Sequence, residues 1–137
     1  MFGEKDWQQL QVVRAMTKEL GLPIEVLGAP TIREPDGLAM SSRNRFLNPE
    51  DREQALALSR ALRQAQGAAN PDAAEEVMRL VLSEFEVKPE YAVVRESSSL
   101  VRPSNPTSET PWRTLIAARV GSVRLIDNAP WKPRASL

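Results

Sequence analysis

The chain has 137 residues, with 18 Lys and Arg against 18 Asp and Glu, 42% hydrophobic and 5% aromatic residues, and neither Cys nor His. Its length suits one domain or slightly more of ordinary globular composition, and zero net charge argues against a nucleic-acid binder working through bulk electrostatics. The missing Cys and His exclude disulfides, Cys-based zinc sites, thiol catalysis and imidazole bases, which leaves Lys, Arg, carboxylates, hydroxyls, amides or a bound ligand to carry any chemistry.

No stretch approaches the roughly 18 continuous apolar residues of a membrane helix. The opening MFGEKDWQQL is too polar for a secretory signal, so a cytoplasmic protein is expected. A glycine, a lysine and two acids stand close behind Met1 with no strand to position them, a start that suggests a piece of something longer.

Residues 6–20 read as a helix capped by Asp6, with Gln9 completing a capping box. Trp7, Leu10, Val13, Met16 and Leu20 form its apolar stripe, and Gly21 and Pro23 end it. Ile24 to Leu27 reads as a short strand ending at Gly28, and helix followed by strand is half of an α/β unit. Residues 29–47 form a long connection without a period, a length that in compact domains is usually functional or disordered. Asn48 and Pro49 announce a second helix to about Gln66, with Ala55, Leu58, Leu62 and Ala65 on one face. A third begins behind Asn70 at Pro71, with Val77, Leu80, Val81 and Phe85 as its inner stripe. The period then changes from 3.6 to 2. Tyr91 to Arg95, Arg113 to Val120 and Val123 to Ile126 read as strands, the last two joined across Gly121-Ser122. A Ser/Pro/Thr-rich loop separates the first two, and the chain after Pro130 is expected to fray.

The expected class is α/β: residues 1–31 as a leftover α/β element, which the family resemblance given below implies is the C-terminal remnant of a Rossmann-like nucleotidyltransferase domain, 32–130 as a small α+β domain of two helices on an antiparallel sheet, and 131–137 as a tail.

Two segments are richer in polar groups than structure alone demands. Gly3-Glu4-Lys5-Asp6 precedes a helix, where free N–H groups, the positive dipole end and an ammonium make an anion site. The plainer reading is a solvated polar terminus. Met40-Ser41-Ser42-Arg43-Asn44 sets two hydroxyls and a guanidinium on a loop, which suits phosphate, although turns rich in Ser and Asn occur everywhere. With one helix and one strand between them, both segments fit the same sheet edge, where nucleotides bind in open α/β sheets. Gln8 and Gln9 add amides nearby. Trp112 and Trp131 are expected in packing, Arg119 and Arg124 on the exposed face flanking the hairpin turn, and Asp127-Asn128 in a turn at a strand end. Glu50, Asp51 and Glu53 read as a helix N-terminal charge cluster rather than a metal site.

FGEKDWQQL (2–10), GAPTIREPDGLAMSSRN (28–44) and RLIDN (124–128) resemble the pantothenate synthetase (pantoate–β-alanine ligase) family in order and spacing, over its C-terminal half. The resemblance implies an ATP-dependent ligase with magnesium that forms pantoyl adenylate and then an amide with β-alanine, releasing pyrophosphate and AMP. It implies a Rossmann-type domain followed by a smaller closing domain. Gly3, Glu4, Lys5 and Asp6 fall in the family's nucleotide-binding block, Gln9 matches the glutamine that holds pantoate, and Ile32 lies where backbone groups meet adenine. Met40, Ser41, Ser42 and Arg43 correspond to its version of the KMSKS loop, which grips the phosphates. Lys5, Ser41, Ser42 and Arg43 are thereby the catalytic candidates, neutralising charge at the α-phosphate and the leaving pyrophosphate. No metal ligand is assigned.

The family's N-terminal histidine stretch, an N-terminal glutamine and most of the parallel sheet have no counterpart here, and YAVVRESSSL to PWRTL follows the family only loosely. The resemblance implies small-molecule substrates, no nucleic acid and no membrane. Family dimers pair largely through the N-terminal domain, which leaves dimerisation of this portion without a basis in the sequence. The chain alone is expected to be inactive or weakly active. The alternatives are a non-catalytic fragment or split subunit needing a partner chain with the histidine motif, and a different nucleotidyltransferase with a KMSKS-like loop.

Overall fold

The structure, a computed structural model, describes residues 2–23 and 28–134. The strand expected at 24–27 and the end of the tail at 135–137 lie outside the described residues. In chain order the elements are β1 (Phe2–Gly3), α1 (Trp7–Glu19), β2 (Gly28–Ala29), a 3-10 helix (Ser42–Phe46), α2 (Pro49–Ala65), α3 (Pro71–Ser83), β3 (Lys88–Glu96), β4 (Trp112–Val120) and β5 (Val123–Trp131). No described helix is long and apolar enough to cross a membrane.

The helices begin where side chains replace missing backbone acceptors. Asp6, Asn48 and Asn70 accept from the amides of Gln9, Asp51 and Ala73 at 3.2, 2.7 and 2.8 Å. Pro49 and Pro71 open α2 and α3, where no intrahelical donor is needed. Gly21, at φ +64°, lets the chain turn out of α1 in the left-handed region.

β3, β4 and β5 form an antiparallel sheet in that order, with β4 central. α2 and α3 lie on it, and the core gathers Leu58, Leu62, Met78, Leu82, Val94, Ile116, Val120 and Trp131. This is the expected pair of helices on an antiparallel sheet. A separate two-stranded sheet pairs β1 with β2 in parallel, Phe2 with Gly28 and Gly3 with Ala29.

Three expectations need correction. Leu80 is 58% exposed, and Ala74, Met78, Val81 and Leu82 form the inner stripe of α3. Position 80 is two residues from both 78 and 82, roughly 200° around the helix, and so faces away. The stripe of α1 is covered only near its start. Leu10 is buried, but Met16 and Leu20 are 48% and 65% exposed, because among the described residues the contacts of α1 with the sheet domain gather around Trp7 and Gln8.

The third concerns β5, which continues past Ile126 to Trp131. Asp127 and Asn128 are buried strand residues rather than a turn. Trp131, expected to fray, pairs with Trp112 across the ladder, packs edge-on against it at 6.3 Å, and donates Nε1–H to the Ala65 carbonyl at 2.7 Å. Asp, Asn and Pro are poor strand formers, but an edge strand tolerates Pro130.

Met78 is fully buried between α2, α3 and the sheet. Met78→Ala is expected to destabilise the protein by about 2–5 kcal/mol through lost burial and the cavity left behind. Denaturant unfolding would show this, and a loss under about 1 kcal/mol would contradict the assignment of the core.

Candidate active site

The parallel pairing of β1 with β2 determines where the two polar segments go. The Glu4 amide donates to the Ala29 carbonyl at 2.7 Å, so both segments leave the same carboxyl edge of that small sheet. Gly3–Asp6 turns directly into α1, whose first amides and positive dipole end face the edge. The other segment makes a small hairpin: Arg33 bridges Ala39, the Met40 amide donates to the Ile32 carbonyl at 2.9 Å, and Gly37 turns the tip at φ +99°. Ser41 then caps the 3-10 helix, its Oγ accepting from the Arg43 amide at 3.1 Å.

These segments meet β5 around a cavity of about 370 Å³ lined by Gly3, Lys5, Asp6, Gln9, Ser41, Arg43, Arg124 and Ile126. Of the residues expected at the site, Gly3, Lys5, Asp6, Gln9, Ser41 and Arg43 are thus brought together. Space around Gly3 is open, with no atom within 4 Å of where a Cβ would stand. Glu4 turns away to Arg113, 3.6 Å off. Ser42 starts the 3-10 helix and is exposed, and Ile32 and Met40 are 69% and 51% exposed on the hairpin, outside the cavity lining.

Sequence reasoning missed the contribution of β5. Arg124 and Ile126 line the cavity, while Asp127 and Asn128 hold its loops. Asp127 receives both guanidinium nitrogens of Arg33 at 2.7 and 2.9 Å. The Asn128 amide donates to the carbonyls of Glu4 and Lys5, each at 2.8 Å, and its Oδ1 accepts from Arg113 Nε at 2.8 Å. The guanidinium of Arg113 lies 3.6 Å from the centre of the Trp7 ring. The available signal was the two-residue alternation in RLIDN, which puts Arg124 and Ile126 on one face and Leu125 on the other.

Burial lowers the pKa of Lys5; Asp127 opposes the shift, Arg43 adds to it, and Asp6 opposes it. The ammonium is therefore short of compensating charge. Arg33 is shifted upward, chiefly by its hydrogen bonds to Asp127. Among the described residues no three metal-ligating side chains gather, and Asp6, the only carboxylate lining the cavity, already caps α1. A larger hollow of about 780 Å³ near Thr110, Trp112 and Lys132 shares no residue with the cation cluster.

Lys5, Arg43 and Arg124 around one small cavity, with a hydroxyl and an amide, suit a multiply charged anion such as a phosphate chain. The molecule is an α/β protein with a cavity lined by cations at the carboxyl edge of parallel strands. The pantoate-beta-alanine ligase family model matches residues 1–130, and the chain belongs to that family. It is 50% identical to the pantothenate synthetase of Granulibacter bethesdensis over 134 residues, which is 93% of this chain and 46% of that protein. The crystal structure of pantothenate synthetase from Thermus thermophilus is similar at TM-score 0.86 and 38% identity, covering 96% of this chain and 49% of that one. The pantoate-beta-alanine ligase of Francisella tularensis, crystallised with beta-gamma ATP and beta-alanine, gives 0.63 and 28% over 94% of this chain and 42% of that one. The chain spans about half the length of the curated relatives it matches.

Removing the Asn128 amide strands two loop carbonyls and Arg113 Nε together. Asn128→Ala is expected to cost about 1–3 kcal/mol in thermal or denaturant unfolding. An unfolding midpoint equal to that of the unaltered chain would show that the amide does not hold the loop.

Proposed function

We propose that this chain forms the C-terminal side of an ATP-dependent ligase site that joins pantoate to β-alanine. The observation that carries the reading is the convergence of Lys5, Ser41, Arg43 and Gln9 on one cavity at the strand edge, within a member of the pantoate–β-alanine ligase family. In the first step a carboxylate oxygen of pantoate attacks the α-phosphorus of ATP, the α–β anhydride bond breaks, and pyrophosphate leaves. In the second the amine of β-alanine attacks the acyl carbon, the bond to AMP breaks, and the amine gives up a proton as the amide forms.

Neither step needs a covalent contribution from the protein. The work is positioning and neutralising charge. Lys5 and Arg43 neutralise the α-phosphate and the departing pyrophosphate, with Ser41 and Ser42 as short donors on the same loop. Gly3 to Asp6 pass the nucleotide close to backbone, backbone groups at Ile32 meet its base, Met40 opens the loop that grips the phosphates, and Gln9 takes pantoate through its amide. Mg2+ fits as a cation carried on phosphate oxygens and water, with few protein ligands. The domain limits accompany this reading: residues 1–31 belong to the nucleotide-binding domain and 32–130 to the smaller domain that covers it.

A second reading is favoured by the exposed Val12, Met16 and Leu20 along α1: a subunit that is catalytically silent until a partner chain with the histidine motif covers that face. Pantoate-dependent exchange between ATP and pyrophosphate separates the two. The chain alone is expected to be slower than a complete family enzyme by about a hundredfold or more, since each absent transition-state donor has a cost of that order. Mixing with a separately made N-terminal half is expected to restore exchange, and Lys5→Ala to abolish it. Exchange alone at the complete enzyme's rate would overturn the expectation that this is one wall of the site. No exchange in the mixture, with no ATP binding by the chain, would overturn the ligase reading.

The lowered pKa of Lys5 adds a pH signature. A phosphate beside the ammonium raises that pKa back, so ATP binding takes up a proton at pH values between the free and bound pKa. Affinity then falls as pH rises through the lowered free-state value. Calorimetry above about pH 8, where the terminal phosphate is fully ionised, in buffers of different ionisation enthalpy would read the uptake. Zero uptake at every pH from there up to the ordinary lysine value would remove Lys5 from the phosphate site.

A further inference from the structure

The hairpin of β4 and β5 places Arg119 directly opposite Arg124. Like charges in that position repel and weaken a ladder. One carboxylate serves both guanidiniums: Glu90 accepts from Arg124 Nε at 3.0 and 3.2 Å and lies 3.5 Å from Arg119 Nε. Glu90 reaches them from the irregularity in β3, where the register shifts between Pro89 and Tyr91. Arg43 Nη1 donates to the carbonyl of Arg124 at 3.4 Å, docking the Ser41–Arg43 segment against the same strand.

Arg124 also belongs to two hollows. It lines the 370 Å³ cavity with Lys5 and Arg43, and a neighbouring one of about 480 Å³ with Arg43, Phe46 and Arg119. Sharing Arg43 and Arg124, the two make one trough lined by four cations. Of the nearby carboxylates among the described residues, Asp6 caps α1, Asp127 is held by Arg33 and Glu90 by Arg124. Such a trough is longer than a single phosphate and wants more negative charge than the chain supplies.

We propose that Arg124 is a phosphate-binding residue of this site, specific for the phosphates beyond the first of a nucleoside triphosphate, and that Glu90 holds it until a phosphate replaces the carboxylate. The proposal rests on the nucleotide reading given above and adds a third cation to it. The Arg124–Glu90 pair is partly exposed, with side-chain accessibilities of 39% and 35%. A pair so open to water contributes little to stability, so a multiply charged phosphate can take the carboxylate's place. Lys5 lines only the first hollow and meets the α-phosphate, Arg119 lines only the second, and Arg43 and Arg124 line both, so a phosphate chain that starts at Lys5 passes Arg124 as it lengthens.

The test titrates the full chain with ATP, AMP and inorganic pyrophosphate, comparing it with Arg124→Gln, Arg124→Lys and Glu90→Gln. Arg124→Gln is expected to weaken ATP and pyrophosphate by about tenfold or more, the scale of one charge-assisted phosphate contact, and to leave AMP within about twofold. Arg124→Lys should recover part of the loss. Glu90→Gln should strengthen pyrophosphate severalfold, a gain in binding that structural damage does not produce. Equal ATP affinity in the unaltered chain and Arg124→Gln would overturn the proposal and leave the nucleotide reading standing. Equal loss of AMP and ATP would overturn it too, by showing general distortion of the pocket. If the unaltered chain bound none of the three, the nucleotide reading and this proposal would fall together.

Discussion

The site depends on two adjacent residues of an edge strand. β1 and β2 are two residues each, too short to hold the loops that leave them. Asp127 and Asn128 do it from outside that sheet. Because successive strand residues point to opposite sides, Asp127 grips the 33–39 hairpin through Arg33 while Asn128 grips the Glu4–Lys5 turn. Each grip centres on a buried side chain: a bidentate carboxylate–guanidinium pair on one side, three side-chain amide hydrogen bonds on the other. Arg113 extends the second grip to Trp7, whose Nε1–H is taken by the Ser97 carbonyl at 2.7 Å. The start of α1, both loops and the antiparallel sheet are thereby fixed to one another through few contacts.

Those contacts explain how a neutral chain builds a cationic pocket. Net charge is a sum over the surface and says nothing about local arrangement. Here acids are spent on structure: Glu75 receives Arg95 and Arg102, Asp127 receives Arg33, and Glu34 and Asp36 receive Arg52. Lys5 and Arg43 are left facing the cavity with less compensation, and burial has already disfavoured the ammonium of Lys5. A phosphate there would relieve an existing electrostatic cost as well as add attraction, which is what the proposed phosphate site asks of these residues.

What the sequence revealed was local chemistry. Asp6 with Gln9, Asn48 with Pro49, Asn70 with Pro71 and the Gly121-Ser122 turn each carry a complete signal within a few residues, and each falls where expected. Gly3 to Asp6 and Ser41 to Arg43 stand out as polar segments before helices, although solvated termini and Ser/Asn turns look the same in sequence, and the fold brings Lys5, Ser41 and Arg43 to one cavity. What stayed hidden was long-range. Asp127 and Asn128 look like turn residues, and only pairing with β4 makes them strand. Arg124 looks like the exposed end of a hairpin until the Ser41–Arg43 segment is folded against it, 81 residues away in sequence. The stripe of α1 was read correctly as a pattern, but burial requires a second surface, and no pattern within one helix supplies it.

That uncovered stripe and the open cavity have the same consequence for chemistry. Coulomb attraction between a cation and a phosphate a few ångströms away is several times stronger behind a protein wall than against bulk water. Lys5, Arg43 and Arg124 stand on one side of a cavity that includes open space beside Gly3, so water screens whatever they bind. Val12, Met16 and Leu20 expose apolar surface on the helix that supplies Gln9 to the same cavity. A surface that covered this stripe and continued past Gln9 would also exclude water from the pocket. Packing and catalysis would then be gained in one step, with cations already fixed by Asp127 and Asn128 passing from a weak anion site to a strong one without moving.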